Sequence, residues 1–149
     1  MTLKATITQH MKEALRAKDA RRLAAIRLLL AAIQQREVDE RRELSEADVV
    51  GIVERLIRQR RESVAQYDAA GRRDLADNER FEIEVLQSYL PQPLSEEELQ
   101  ALIEQAVVDT GAAGPKDIGR VMGVLKPRII GRAEMGRVST LVKARLGAG

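Results

Sequence analysis

Two prolines, Pro91 and Pro93, flank the single residue Gln92 in a chain whose apolar residues otherwise recur at helical spacing. Neither proline can continue a helix, and each pushes the residue before it toward extended backbone. Leu94-Ser95-Glu96-Glu97-Glu98-Leu99 follows directly. Ser95 as N-cap with Glu98 three residues on makes a capping box, and Leu94 and Leu99 occupy the hydrophobic-staple positions. Three glutamates in the first turn also complement the helix dipole. The chain therefore reads as two helical blocks with a stiff joint between them. The expected domains are residues 1–92 and 94–148.

The spacing predicts four helices in the first block. Leu3, Ile7, Met11 and Leu15 mark one over about 3–17. Asp19 can cap a second, about 20–41, with Leu23, Ile26, Leu29, Leu30 and Ile33 inward. Ser45 and Asp48 open a third, about 46–69. Gly71 stops it, and Asp74 is placed to cap a fourth, about 75–89. The second block predicts a helix from Ser95 to Gly111. Another runs from Pro115 to about Lys126, ended by Pro127, and a last one covers about 133–146. Only 2% of residues are aromatic, so the core must be Leu, Ile, Val, Ala and Met. That suits helix packing better than sheets, and no window alternates as a strand does. The fold class expected is all-α, with about four helices in an N-terminal domain and a three-helix C-terminal tail.

Several chemistries lack their residues. There is no Cys, hence no disulfide, thiol nucleophile or thiolate metal site. His10 is the only histidine and reads as an ordinary surface residue. No GxxxxGK[ST] phosphate loop is present. Glu79, Glu82 and Glu84 read as helix-surface charges paired with Arg72, Arg73 or Arg80. Ser139 has no base beside it in sequence. The expectation is no catalytic residue, no metal and no cofactor. No apolar run has signal-peptide or membrane-span form, which gives an expectation of no membrane partner and a cytoplasmic location.

The functional signal lies between Gly114 and Leu146. From Lys116 onward eight cations stand against Asp117 and Glu134, in a chain whose net charge is +2. A local basic excess of that size suggests a polyanionic partner. At 100° per residue, Lys116 and Arg120 lie opposite Ile118, Met122 and Leu125, with Gly119 and Gly123 beside them. Bare helix backbone flanked by cations lets a phosphodiester chain approach closely. The candidate RNA-binding residues are Lys116, Gly119, Arg120, Gly123, Lys126, Arg128, Arg132, Arg137 and Lys143. With so few aromatics, the expected mode is contact with the backbone and shape of folded RNA. Two other readings stay open. Surface charge is commonly a solvated face, and GxxxG spacing commonly lets helices pack.

The sequence resembles the YqeY-like proteins, which share a helical tail domain with the GatB subunit of tRNA-dependent amidotransferase. The resemblance covers nearly the whole chain. It rests on Gly71-Arg72, Asp74-Leu75, Glu79, Tyr89-Leu90-Pro91 and Ser95 with Glu98-Leu99. In the tail it rests on Gly119-Arg120-Val121-Met122-Gly123, Pro127, Gly131-Arg132-Ala133 and Val138 with Leu141-Val142-Lys143. Glu134-Met135-Gly136 departs from the shorter Asp-Gly turn of many relatives. The resemblance implies an all-helical protein whose tail contacts tRNA, acting as a non-catalytic accessory of tRNA-dependent amidation. The partners it implies are tRNA and, beyond it, amidotransferase subunits or aminoacyl-tRNA synthetases. The family is also labelled with carbon–nitrogen ligase activity using glutamine as amido-N-donor. No residue here can carry that reaction by itself. The alternatives are a helical protein-interaction module or a component of such a ligase.

Overall fold

A computed structural model describes residues 1–147. Among them are seven α-helices, one 3₁₀ turn and no strand. The chain divides into two compact units, one from Met1 to Leu90 and one from Pro91 onward. The expected end of the tail domain at 148 lies outside the described residues.

The first unit holds α1 (Leu3–Arg16), α2 (Ala20–Glu40), α3 (Glu46–Ala69) and α4 (Arg73–Gln87). Three starts are set by side-chain caps. Thr2 accepts from the Ala5 N–H at 3.1 Å, Asp19 from Arg22 at 3.2 Å, and Ser45 and Asp48 close a reciprocal capping box. Asp74 does not cap α4. The helix begins one residue before it, and its carboxylate is held by Arg72 at 3.1 and 3.2 Å. Ile7, Ile26, Leu29, Ile33, Ile52 and Val53 are buried at the centre of the unit, with Leu86 and Tyr89 closing it from the α4 side.

His10 is not a free surface residue. Its Nδ1 lies 2.8 Å from the hydroxyl of buried Tyr89. The pair gives the phenol a polar partner inside an otherwise apolar cluster. Burial pushes the Tyr89 phenol above its ordinary range, with Arg22 opposing that shift.

The acidic residues of α4 are arranged differently from the sequence expectation. Glu82 pairs with Arg60 of α3 at 2.6 Å in a largely buried bridge. Arg72 and Arg80 are engaged instead by Asp74, Asp68 and Asp77. Glu79 is half-buried; burial raises its pKa first, the Glu82 carboxylate raises it further, and Arg60 opposes both. A carboxyl whose folded pKa is raised adds stability below its unfolded pKa and loses it as pH rises through the folded value. Glu79→Gln is therefore expected to be more stable than wild type at pH 7. The difference should vanish by about pH 3.5, below the ordinary glutamate value. Urea melts at the two pH values check this, and a gain that persists at low pH contradicts it.

The second unit holds α5 (Glu96–Thr110), a 3₁₀ turn (Pro115–Asp117), α6 (Ile118–Ile129) and α7 (Met135–Arg145). The Ser95–Glu98 capping box forms, with both bonds at 3.1 Å. The Ser95 backbone N–H, then its hydroxyl, hold the Glu98 carboxyl below its ordinary pKa. Gly111 ends α5 at φ 65°, a left-handed turn that costs glycine nothing. Leu99, Ile103, Ala106, Val121, Leu125, Ile129, Val138 and Val142 form one core from all three helices.

Pro127 does not end α6, which runs on to Ile129. Val121, Leu125 and Ile129 repeat every fourth residue and are each 0% exposed. Burying Ile129 offsets the one helix hydrogen bond that Pro127 removes. The helix closes instead through Ile130 N–H to Lys126 O at 3.1 Å and Arg132 N–H to Ile129 O at 2.8 Å.

Candidate nucleic-acid interface

The outer face of α6 is built by the same periodicity that buries its inner face. Lys116, on the 3₁₀ turn, is followed by Gly119, Arg120, Gly123, Lys126 and Pro127, all exposed. These positions fall in one stripe opposite Val121, Leu125 and Ile129. A Cβ placed on Gly119 or Gly123 meets nothing within 4 Å. The glycines are not serving helix packing inside the unit. They leave helix backbone bare toward solvent. Pro127 has no N–H, so the Gly123 carbonyl four residues back lacks its usual helix donor. An acceptor oxygen therefore sits on the same stripe as the cations.

Arg120 has a partner within its own turn. It donates to Asp117 at 2.9 Å, while its side chain stays 61% exposed. Asp117 in turn accepts from the backbone N–H of Ala113 at 2.9 Å and of Gly114 at 3.4 Å. The Ala113 bond is the first cause of its lowered pKa, with Arg120 and Gly114 adding to it and burial opposing. A guanidinium held through one nitrogen keeps its other donors for an anion.

The remaining candidate cations are arranged otherwise. Arg128 points toward α5 and pairs with Asp109 at 2.9 Å. Arg132 donates to the Gln92 carbonyl at 3.0 Å and lies 3.9 Å from Glu98, so it ties the start of the unit to the α6–α7 connection. Arg137 pairs with Glu96, and Arg145 with Glu104. Lys116, Lys126 and Lys143 have no ion-pair partner among the described residues. Lys143 lies on α7, apart from the α6 stripe.

The basic excess seen along the sequence is thus largely neutralised within its own unit. From Pro91 on, the eight cations meet seven carboxylates, five of them on α5: Glu96, Glu97, Glu98, Glu104 and Asp109. What stays open is a narrow band of Lys116, Arg120 and Lys126 around two bare glycines. Helical periodicity in the sequence is enough to place this band. The sequence carries no signal for the Arg128, Arg137 and Arg145 pairings, whose partners lie 19 to 41 residues away.

No group of three or more His, Asp or Glu side chains suited to a metal ion occurs among the described residues. No helix there is long and apolar enough to cross a membrane.

Two curated relatives carry the name altered inheritance of mitochondria protein 41, mitochondrial. The Kluyveromyces lactis protein is 34% identical over 115 residues, 74% of this chain and 62% of the relative. The Lachancea thermotolerans protein is 32% identical over 114 residues, 74% of this chain and 61% of the relative. The chain thus spans about three fifths of these relatives' length. Their names overturn the cytoplasmic expectation. That expectation rested on the lack of an apolar leader, a feature that mitochondrial targeting segments, being amphipathic and Arg-rich, do not have either. The family profile described as Yqey-like protein matches residues 4–146, across both units. The chain belongs to the Yqey-like protein family.

Proposed function

We propose that this chain is a non-catalytic RNA-binding accessory protein that holds the sugar–phosphate backbone of folded RNA, tRNA in particular, on the outer stripe of α6. The observation that carries the reading is the open backbone at Gly119 and Gly123 between Lys116, Arg120 and Lys126. Phosphates take the cations, and the bare helix lets the strand come close. The Gly123 carbonyl offers an acceptor to a ribose 2′-hydroxyl, which RNA has and DNA lacks. Association with tRNA-dependent amidotransferase is the wider form of the proposal and rests on the shared tail domain.

Glycine inside a helix costs about 0.5–1 kcal/mol relative to alanine. Because a Cβ has room at both positions, the Gly119→Ala/Gly123→Ala variant is expected to be about 1–2 kcal/mol more stable in urea melts. Its affinity for labelled tRNA in fluorescence anisotropy is expected to fall about 10-fold, since two methyl groups now stand where the strand must approach. A more stable variant with unchanged affinity rejects the close-approach role of the glycines.

A further inference from the structure

The α1–α2 hairpin carries a positive face that the rest of the fold leaves unused. Between Ala5 and Gln35 the charged residues are Lys12, Glu13, Arg16, Lys18, Asp19, Arg21, Arg22 and Arg27, six cations against two acids. Half of them are spent inside the unit. The Arg21 guanidinium lies 4.1 Å over the Phe81 ring and reaches the Asp77 carbonyl. Arg22 and Glu13 both act on the buried Tyr89 hydroxyl. The Asp19 carboxylate caps α2. That leaves Lys12, Arg16, Lys18 and Arg27, all exposed and none in an ion pair among the described residues.

These four share one side of the hairpin. At 100° per residue, Ala5, Gln9, Lys12 and Arg16 form the stripe of α1 opposite Ile7, Met11 and Ala14. Ala20, Ala24, Arg27 and Ala31 form the stripe of α2 opposite Ile26, Leu29 and Ile33. Every residue of both stripes is exposed, and none is acidic. Lys4 bridges to Glu37 at 2.6 Å, and the Asp19 N–H donates to the Ala14 carbonyl at 3.0 Å, which fixes α1 antiparallel to α2. With equal rise per residue, Arg27 then stands level with Ala14, between Lys12 and Arg16. Lys18 is on the turn, its N–H bonded to the carbonyl of Leu15, a leucine 54% exposed. Farther along α2 the charge is mixed: Arg36 pairs with Glu40, Asp39 accepts from Gln35, and Arg41 stands exposed at the helix end. The positive face therefore covers the hairpin end of the two helices and not their whole length.

We infer that this face is a docking surface for an anionic lipid bilayer. The alanines keep it low in relief, so cations spread over two helices all reach a flat layer of headgroups. A bilayer presents anions wherever the cations stand, and no fixed partner positions are needed. Four or more Lys and Arg on an amphipathic helical surface make the composition that anionic headgroups attract. Exposed Leu15 favours lipid over RNA, since an aliphatic side chain gains at the headgroup–acyl boundary and little from a phosphodiester chain. The contact is peripheral; the expectation of no membrane partner rested on the lack of a span, which such a contact does not need. It involves neither α6 nor RNA.

Co-sedimentation of the full chain with vesicles tests it, phosphatidylcholine carrying about 40% phosphatidylserine against phosphatidylcholine alone, at about 50 mM salt. Binding is expected to the anionic vesicles only, and to fade by about 500 mM salt as screening shortens the reach of the charges. Each cation near an anionic leaflet is worth about 5-fold in partitioning, so Lys12→Gln/Arg16→Gln/Lys18→Gln/Arg27→Gln is expected to lose at least about 100-fold. All four side chains are exposed, so the variant's helical circular-dichroism spectrum is expected to match wild type. Lys116→Glu/Arg120→Glu/Lys126→Glu takes more positive charge off the chain, yet it is expected to keep most of its vesicle affinity. No binding to anionic vesicles at the lower salt overturns the inference and leaves the face to an acidic protein. Equal binding to neutral vesicles overturns it, and so do equal losses from the two variants, since binding then follows net charge. A four-glutamine variant that keeps vesicle binding but loses tRNA gives the face to RNA and overturns it too.

Discussion

Replacing Lys116, Arg120 and Lys126 together with glutamate is expected to raise the dissociation constant for tRNA by at least about 100-fold at low salt. Each of the three side chains is exposed, and each stands on the outward stripe of α6. Every phosphate left without its cation keeps its condensed counterion, which removes that ion's release entropy, and the new carboxylates repel the strand. The variant should remain folded, because none of the three is buried in the Val121, Leu125 and Ile129 face. Arg120→Glu does place a carboxylate near Asp117, whose backbone bonds from Ala113 and Gly114 persist. A matched control reverses Arg128, Arg137 and Arg145. These pair with Asp109, Glu96 and Glu104, so the control is expected to cost unit stability more than affinity. If both triple variants lose affinity equally, binding follows net charge and the α6 stripe has no special role.

Leu125→Ala is expected to destabilise the second unit by about 2–5 kcal/mol, the range for a large buried aliphatic side chain cut back to alanine. Leu125 is 0% exposed and packs with residues of α5, α6 and α7 at the centre of that core. It also backs the stripe that carries Gly119, Arg120 and Gly123, so tRNA binding is expected to fail with it. The two units have separate cores, and a melt of the full chain should show the second transition move while the first holds. Both transitions shifting together would show that the units unfold as one.

Local signals in the sequence hold wherever the physics is itself local. Ser95 with Glu98 and Ser45 with Asp48 make the caps their spacing announces, because the partners are three residues apart. The all-α class follows from the same kind of signal: helical spacing, caps and scarce aromatics. Pro127 shows where the local rule fails. Its missing N–H argues for a break, but Ile129 lies one turn past Leu125 on the buried face, and core burial carries the helix through. Asp74 departs from its expected capping role because the helix begins one residue before it, at Arg73, which puts Asp74 inside the first turn, paired with Arg72.

Pairings across the chain leave no local mark. His10 meets Tyr89 from 79 residues away, and Arg145 meets Glu104 from 41. A run of cations counted along the sequence therefore overstates the charge that the folded unit presents. The positions of Gly119 and Gly123 on an open face are legible from a 100° turn per residue. Which arginines beside them are already paired is not, because that depends on α5 lying against α6 and α7.

The most direct test is the salt dependence of tRNA affinity for the full chain, followed by anisotropy from 50 to 200 mM monovalent salt. Three phosphate contacts, from Lys116, Arg120 and Lys126, predict a slope of log K against log salt of about −2 to −3. Affinity should then fall roughly 15- to 65-fold across that range. No saturable binding at 50 mM, or a slope near zero, would contradict the proposal that this stripe grips an RNA backbone.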